Sequence, residues 1–243
     1  MEIIYGRHPV LDALAAENPI DKVLLLEGTR GELEVEMRHA CKKAGVQLQY
    51  IPKERFARYT RENHQGVIAL MSALPNYHNL KDLLPAIIAR GEVPLLVILD
   101  GITDVRIFGA IARSAEAAGA HALIVALKGV AHINAEAMKA SAGALATLPV
   151  CRESSLSAVL DMLGLEGIQV LASDLKGHAR LQDIDMNEPT AIIVGSESEG
   201  VSHHLLQRAD SRFKLPMRGT TDSYNASVAA GMMLYEVLRQ RMA

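Results

Sequence analysis

The stretch Leu95-Leu96-Val97-Ile98-Leu99-Asp100-Gly101-Ile102-Thr103-Asp104-Val105-Arg106-Ile107-Phe108-Gly109-Ala110-Ile111-Ala112-Arg113-Ser114-Ala115 changes character twice. It opens as an unbroken apolar run of strand length, far short of a membrane span. It then turns polar at Asp100 and Gly101, and continues as an alanine-rich helical stretch in which Arg113 lies. The same rhythm continues downstream, with further short apolar runs predicted as strands at 122–125, 147–150, 169–172, 190–194 and 212–215. Runs without polar alternation suit strands buried on both faces, and so predict an α/β fold with a parallel sheet covered by helices on each side. Neither a Gly-x-Gly-x-x-Gly after the first strand nor a phosphate-loop Lys motif is present, so an ordinary dinucleotide-binding domain is poorly supported.

Upstream of Leu95 the pattern describes a smaller α/β unit. His8-Pro9-Val10 opens a helix with Pro early, where its missing N–H costs little. A short strand is expected at 22–26, a helix at 32–44 stopped by Gly45, and strands at 47–51 and 67–71. Pro75, Asn76 and Asn79 interrupt the pattern before helical spacing resumes at 80–90. The expected division is 1–72 for the small domain, 73–92 for a linker and 93–243 for the large domain.

The chain has 243 residues, 49% of them hydrophobic, enough for a small and a medium core. A net charge of -3 gives no global basic signal for nucleic acid, although a local basic face remains open. Cys41 and Cys151 have no metal-ligand spacing and form no disulfide framework; no metal is expected, and a reducing cytoplasm suits them. The first residues lack an apolar signal-peptide core, and a cytoplasmic protein with no membrane partner is expected.

Local basicity does occur at 38–61, where Arg38, Lys42, Lys43, Lys53, Arg55, Arg58 and Arg61 face a single carboxylate, Glu54, with Tyr50, Phe56 and Tyr59 interleaved. Cations attract phosphates and aromatic rings stack on exposed bases, so this segment reads either as an RNA-binding face or as a solvated face with core aromatics. His64-Gln65-Gly66 reads as a turn or as a group presented to substrate.

Ligand sites in open α/β sheets lie at the carboxyl ends of strands. Arg113 follows the first such end, either as a surface cation or as a grip on phosphate or a reacting oxygen. A second end carries Val194-Gly195-Ser196-Glu197-Ser198-Glu199-Gly200. A third runs Leu215-Pro216-Met217-Arg218-Gly219-Thr220-Thr221-Asp222-Ser223-Tyr224-Asn225-Ala226-Ser227-Val228 into a long final helix, with Ser223 and Asn225 at its expected start.

These three loops, in this order, resemble the motifs of the TrmH (SpoU) family of SPOUT RNA methyltransferases, and most closely the RlmB-type ribosomal-RNA guanosine 2'-O-methyltransferases. The first likeness runs through Asp100, Gly101, Thr103, Asp104, Gly109, Ala110, Arg113, Ser114 and Ala115. The second is Gly195-Ser196-Glu197-x-Glu199-Gly200. The third joins Pro216-Met217 to Ser223-x-Asn225-x-Ser227-Val228-Ala229. Tyr5-Gly6-x-His8-x-Val10 and His64-Gln65-Gly66 resemble the family's amino-terminal substrate-binding domain, so the likeness spans nearly the whole chain.

The resemblance implies a carboxy-terminal trefoil knot, S-adenosyl-L-methionine as cofactor, a homodimer through the knotted domain, and methyl transfer to a ribose 2'-hydroxyl. Ribosomal RNA is the expected substrate; transfer RNA, or an RNA-binding protein with weakened catalysis, is the alternative. Matching cofactor positions are Gly195, Leu215 and Tyr224, with Ala172, Pro216 and Met217 nearby. Matching catalytic positions are Arg113, Glu197, Ser223 and Asn225. The chain departs from the pattern at Val105, Ile107 and Tyr224, where the family has Pro, Asn and Leu. Isoleucine can neither donate nor accept a hydrogen bond, so a slower enzyme is expected unless Asp104 or Arg106 stands in.

Overall fold

The computed structural model describes residues 3–16, 20–60, 62–71 and 77–242. The chain divides into two compact units, Met1–Pro75 with His132–Ala135, and Asn76–Ala131 with Glu136–Ala243.

The first unit runs β1 (Ile3–Tyr5), α1 (Arg7–Ala15), β2 (Ile20–Leu26), α2 (Glu32–Ala44), β3 (Gln47–Ile51), α3 (Lys53–Phe56) and β4 (Val67–Met71). Its sheet has the order β1-β4-β2-β3, with β2 and β3 parallel and the other pairs antiparallel. Gly45 ends α2 in the left-handed region at φ 66, and Lys42 and Lys43 sit in the last turn, where cations suit the helix dipole.

Alternation along β2 decides where the cations go. Val23 and Leu25 pack with α1 and α2, against Val10, Leu14, Met37 and Cys41. Leu24 points to the opposite face and packs with Ile51 and Phe56. So α2 and α3 lie on opposite faces of the sheet, and the basic segment is not one surface. Lys42 and Lys43 precede β3; exposed Lys53, Arg55 and Arg58 follow it. The five residues of β3 span roughly 17 Å at about 3.3 Å per residue, more than a screening length of about 8 Å. The charge count also changes in space, because Glu34 on α2 accepts from Arg38 at 2.6 Å and from the Tyr50 hydroxyl at 3.0 Å. Phe56 is fully buried, and its ring centroid lies 4.6 Å from that of His64. Of the interleaved aromatics, only Tyr59 is both exposed and without a side-chain hydrogen bond among the described residues. Arg61 lies outside them.

His64-Gln65-Gly66 is a turn. Gly66 N–H donates to His64 Nδ1 at 3.0 Å, and the Gln65 side chain accepts from Arg7 N–H at 2.9 Å. Gln65 adopts φ 49 to do so. Because β1 runs antiparallel to β4, Tyr5 and Gly6 lie beside this turn, and Gly6 N–H donates to Val67 O at 3.2 Å. The same end of the sheet receives the carboxyl end of β3 and α3.

The second unit runs β5 (Tyr77–His78), α4 (Leu80–Ala89), β6 (Leu95–Asp100), α5 (Val105–Ala117), β7 (Ala122–Ala126), α6 (Ala135–Ala140), β8 (Val150–Glu153), α7 (Leu156–Leu165), β9 (Gln169–Ser173), β10 (Ala179–Arg180), β11 (Thr190–Gly195), α8 (His203–Leu206), β12 (Ser211–Lys214) and α9 (Ala226–Arg241). Its eight strands order as β10-β12-β9-β11-β6-β7-β8-β5, and every pairing is parallel, as the unbroken apolar runs predict. Leu96 and Ile98 of β6 face a cluster built with Leu80, Leu84, Leu156, Leu160 and Leu205. Leu95, Val97 and Leu99 point to the other face and are equally buried.

Two expectations are corrected here. The stretch expected as a linker contributes β5 to this sheet and the buried Leu80, Leu84 and Ile87 of α4 to its core; its residues 73–76 lie outside the described ones. The strand expected at 147–150 begins only at Val150. A 3-10 turn occupies Ala144–Ala146, Thr147 Oγ1 donates back to Ala144 O at 3.2 Å, and Pro149 has no N–H to give a ladder.

The final helix is clamped at its carboxyl end. Arg241 donates to four main-chain carbonyls: Met186 at 2.8 Å, Val93 at 2.9 Å, and Pro94 and Glu188 at 3.1 Å. Gln240 adds Ile184 O at 3.1 Å and accepts from Met186 N–H at 2.9 Å. Burial pushes the Arg241 pKa down, but from so high a start that the guanidinium stays charged. Arg241→Ala strands these carbonyls and is expected to cost about 2–4 kcal/mol in denaturant unfolding of this unit. Arg239→Ala breaks a two-bond pair with Glu236 from a half-exposed arginine and is expected to lower stability less than Arg241→Ala does.

Candidate functional site

In the second unit β12, β9 and β11 are adjacent and parallel, so their carboxyl ends open side by side. A cavity of about 540 Å³ lies there, within the size range of small-ligand sites. Its walls are residues 173–176 after β9, 194–201 after β11, Leu215, Met217, Asp222, Ser223 and Tyr224 after β12, and Ala226, Ala229 and Met233 of α9, with Leu206 behind them.

Gly195 shapes the second wall. A Cβ there would lie 2.0 Å from Gly200 C and 2.1 Å from Val201 N, so only glycine lets the chain fold back this tightly. Ser196 and Gly200 then exchange backbone hydrogen bonds at 3.1 and 2.9 Å. Asp100, at the end of β6, closes the same loop by accepting from Ser202 N–H at 2.7 Å. The close neighbour is the chain's own backbone, so a bulky residue at 195 would disturb the loop itself.

Asn225 joins this loop to the final helix. As the N-cap of α9 its Oδ1 accepts from Ser227 N–H at 3.0 Å, Ser227 Oγ at 2.6 Å and Val228 N–H at 3.4 Å. Its Nδ2 donates to Glu197 Oε1 in a short hydrogen bond. The Oδ1 is thus committed to the helix start, while one Nδ2 hydrogen holds the Glu197 carboxylate in the wall. The Tyr224 hydroxyl donates to Pro216 O at 2.9 Å across the preceding loop.

The structure brings together Gly195, Glu197, Leu215, Met217, Ser223 and Tyr224 as lining residues. Ala172 is fully buried in β9, one position short of the lining Ser173. Pro216 enters through its carbonyl alone. Arg113 is not in the lining: it is exposed on α5, which packs against α9, and makes no hydrogen bond or ion pair with the described residues. Sequence reasoning missed Ser173, Asp174, Leu175 and Lys176, and the helix residue Met233; Ala229 closed the third motif without a role. The rule of carboxyl strand ends could have found the first four, because β9 ends there too.

Asp104 caps α5, accepting from Arg106 N–H at 2.7 Å and Ile107 N–H at 3.4 Å. Arg106 Nε donates to Glu136 at 2.7 Å.

The lining is short of cations. Its charged lining residues are Asp174, Glu197, Glu199, Asp222 and Lys176, with Asp174 also 3.8 Å from Arg212 Nη1 outside the lining, and the remaining wall is largely Val194, Val201, Leu215, Met217 and Met233. A net negative, partly apolar cavity suits a cationic ligand with a flat apolar part. Among the described residues no group of His, Cys, Asp and Glu is placed to hold a metal ion.

Comparison with known proteins agrees with this geometry. Residues 94–235 match the SpoU rRNA Methylase family, and residues 3–77 match the RNA 2'-O ribose methyltransferase substrate binding domain. A relative from Bacillus subtilis (strain 168), assigned to the TrmH family of tRNA/rRNA methyltransferases as YacO, is 32% identical over 240 residues, covering 99% of this chain and 96% of its own. The SpoU methyltransferase AviRb from Streptomyces viridochromogenes, solved in complex with the cofactor AdoMet, is 26% identical with a TM-score of 0.62 over 99% of this chain and 90% of that one. A structure described as an RNA 2'-O ribose methyltransferase is 28% identical with a TM-score of 0.58 over 99% and 89%. With both family matches falling on the two folded units and one relative aligned end to end, the chain belongs to the SpoU (TrmH) family of RNA methyltransferases, whose activity is 2'-O-methylation of ribose.

Proposed function

We propose that this protein transfers a methyl group from S-adenosyl-L-methionine to a ribose 2'-hydroxyl of ribosomal RNA, using the cavity at the ends of β9, β11 and β12. The observation that carries the reading is the Asn225–Glu197 contact, which fixes a carboxylate in the wall of an acidic, partly apolar cavity. The cofactor, when bound, supplies a methyl group made electrophilic by a sulfonium. Gly195, Leu215, Met217 and Tyr224 are the proposed cofactor contacts, with Ala172 and Pro216 supporting them from β9 and the loop.

The remaining steps belong to the chain. A ribose hydroxyl is a poor nucleophile until its proton is accepted or its developing charge offset. Glu197, oriented by Asn225, accepts a hydrogen bond from that hydroxyl. Arg113 binds the adjacent phosphate and stabilises the alkoxide as it forms; a guanidinium stays protonated and serves poorly as a base. Ser223, exposed beside Glu197 in the lining, orients the ribose. Ribosomal RNA is chosen over transfer RNA on the sequence likeness alone, and the reaction is placed in the cytoplasm.

Two further parts complete the reading. A homodimer is supported by Val228, Met232 and Tyr235, which follow one another at helical spacing on α9 and are 48, 41 and 65% exposed. The knot implied by the resemblance belongs to the same proposal. The small unit is the RNA-binding part, and its contact surface is the sheet end carrying Lys53, Arg55, Arg58 and Tyr59, not the face that carries Lys42 and Lys43.

Ala229→Leu keeps a good helix former but fills the cavity from α9. Calorimetry is expected to show binding of S-adenosyl-L-methionine to the parent and its loss by at least about tenfold in the variant, since overpacking typically costs about 1–3 kcal/mol. Equal affinity would place the cofactor elsewhere. For RNA, replacing Lys53, Arg55 and Arg58 together by Gln should weaken binding and lower the salt slope by roughly one unit per lost phosphate contact. Replacing Lys42 and Lys43 should leave the slope unchanged. The opposite ranking would assign RNA to the α2 face.

A further inference from the structure

The segment between β12 and α9 crosses the cavity as a strap with two fixed ends. Leu215 is buried to 8% exposure at one end, and Asn225 is locked as the cap of α9 at the other. Between them, Met217, Asp222, Ser223 and Tyr224 line the cavity, while residues 218–223 are exposed on their outer side. Among the described residues, none from 217 to 223 makes a hydrogen bond, through main chain or side chain. One bond crosses the strap at all: the Tyr224 hydroxyl donates to Pro216 O at 2.9 Å, drawing positions eight residues apart together. This residue is also where the chain departs from the family pattern, and a leucine there could not make the bond.

We propose that the Tyr224 phenol is a positioning residue that latches this strap closed and so sets how tightly and how long the cavity holds its cofactor. The inference rests on the cavity being the cofactor site. A strap fixed only at its ends, with unpaired hydrogen-bonding groups between them and a glycine at 219, samples many conformations, and each ligand that needs it closed must bear the cost of ordering it. If the closed form is only a fraction of the population, apparent affinity falls by that fraction. One phenol-to-carbonyl bond shifts such an equilibrium by about fivefold. The phenol's proton is committed to a carbonyl, so its part is to hold the strap and not to exchange a proton with substrate. The ring itself lines the cavity in the latched position, which makes closure and ligand contact the work of one side chain.

Tyr224→Phe keeps the ring and removes the latch. Two readouts test it. In the cofactor-free protein, trypsin cleavage of the exposed Arg218–Gly219 bond, followed by mass spectrometry, should be about three- to tenfold faster than in the parent. In calorimetry the dissociation constant for S-adenosyl-L-methionine should rise by a similar factor, with RNA affinity and melting temperature unchanged. Gly219 has no neighbour that an added Cβ would meet and no positive φ, so Gly219→Ala stiffens the strap without strain. Added to Tyr224→Phe, it should recover part of both losses. Parent-like cleavage and affinity in Tyr224→Phe would overturn the latch, and so would a parallel fall in RNA affinity or melting temperature, which marks general loosening. A parent that binds no S-adenosyl-L-methionine would sink the cofactor reading alone. The cleavage rates would still decide the latch.

Discussion

The site depends on one side chain that serves two partners. Asn225 spends its carbonyl oxygen on the first turn of α9 and its amide on Glu197. A helix start and a strand-end loop are thereby held in a single geometry. Unpaired N–H groups at a helix start need an acceptor, and a carboxylate in a cavity wall needs a donor to stay in one place. One amide satisfies both, where an Asp cap, with no donor, would satisfy only the helix. Loss of that amide would free the carboxylate and fray the helix together.

That node would mean little if α9 could slide. Its far end is held by Arg241 and Gln240 on the carbonyls of Val93, Pro94, Ile184, Met186 and Glu188, which are themselves tied to the start of β6 and the approach to β11. The helix therefore spans the sheet with its cap at the carboxyl ends of the strands and its clamp at the opposite side. Gly195 completes the arrangement, because the tight return of 195–201 against its own backbone is what sets Glu197 within reach of the cap. The strap of 216–224 is the one wall held by a single bond, so it is the wall best suited to move.

Much of this was legible in the sequence. Unbroken apolar runs announced a parallel sheet, Gly45 announced the end of α2, and Ser223 and Asn225 marked the start of α9. The motif residues fell at strand ends, where open α/β sheets place their sites. What failed to show had particular causes. A run of cations in sequence looked like one face, but α2 and α3 dock on opposite sides of a sheet whose alternation is read only once the partners are known. Phe56 read either as a ring for base stacking or as a core residue, because nothing local decides between them, and its burial settles it as core. The stretch around Asn79 read as a linker because its breakers are local, whereas the burial of Leu80 and Leu84 is a long-range event. Gly195 stood out in its motif, but the tight return of the chain that it permits shows only in the fold. The Tyr224 hydroxyl finds its acceptor through the path of a loop, which no spacing rule specifies.

The account stands or falls on where a methyl group goes. The purified protein should be incubated with RNA and S-adenosyl-L-methionine labelled in the methyl group, and the RNA then hydrolysed completely in alkali. Alkaline cleavage needs a free 2'-hydroxyl, so a methylated ribose blocks it and leaves a dinucleotide. The account predicts label in alkali-resistant dinucleotides, from ribosomal RNA in preference to transfer RNA, and none with Glu197→Ala. Label released as mononucleotides, which marks methylation of a base, or no label in any RNA while the cofactor binds, would contradict it.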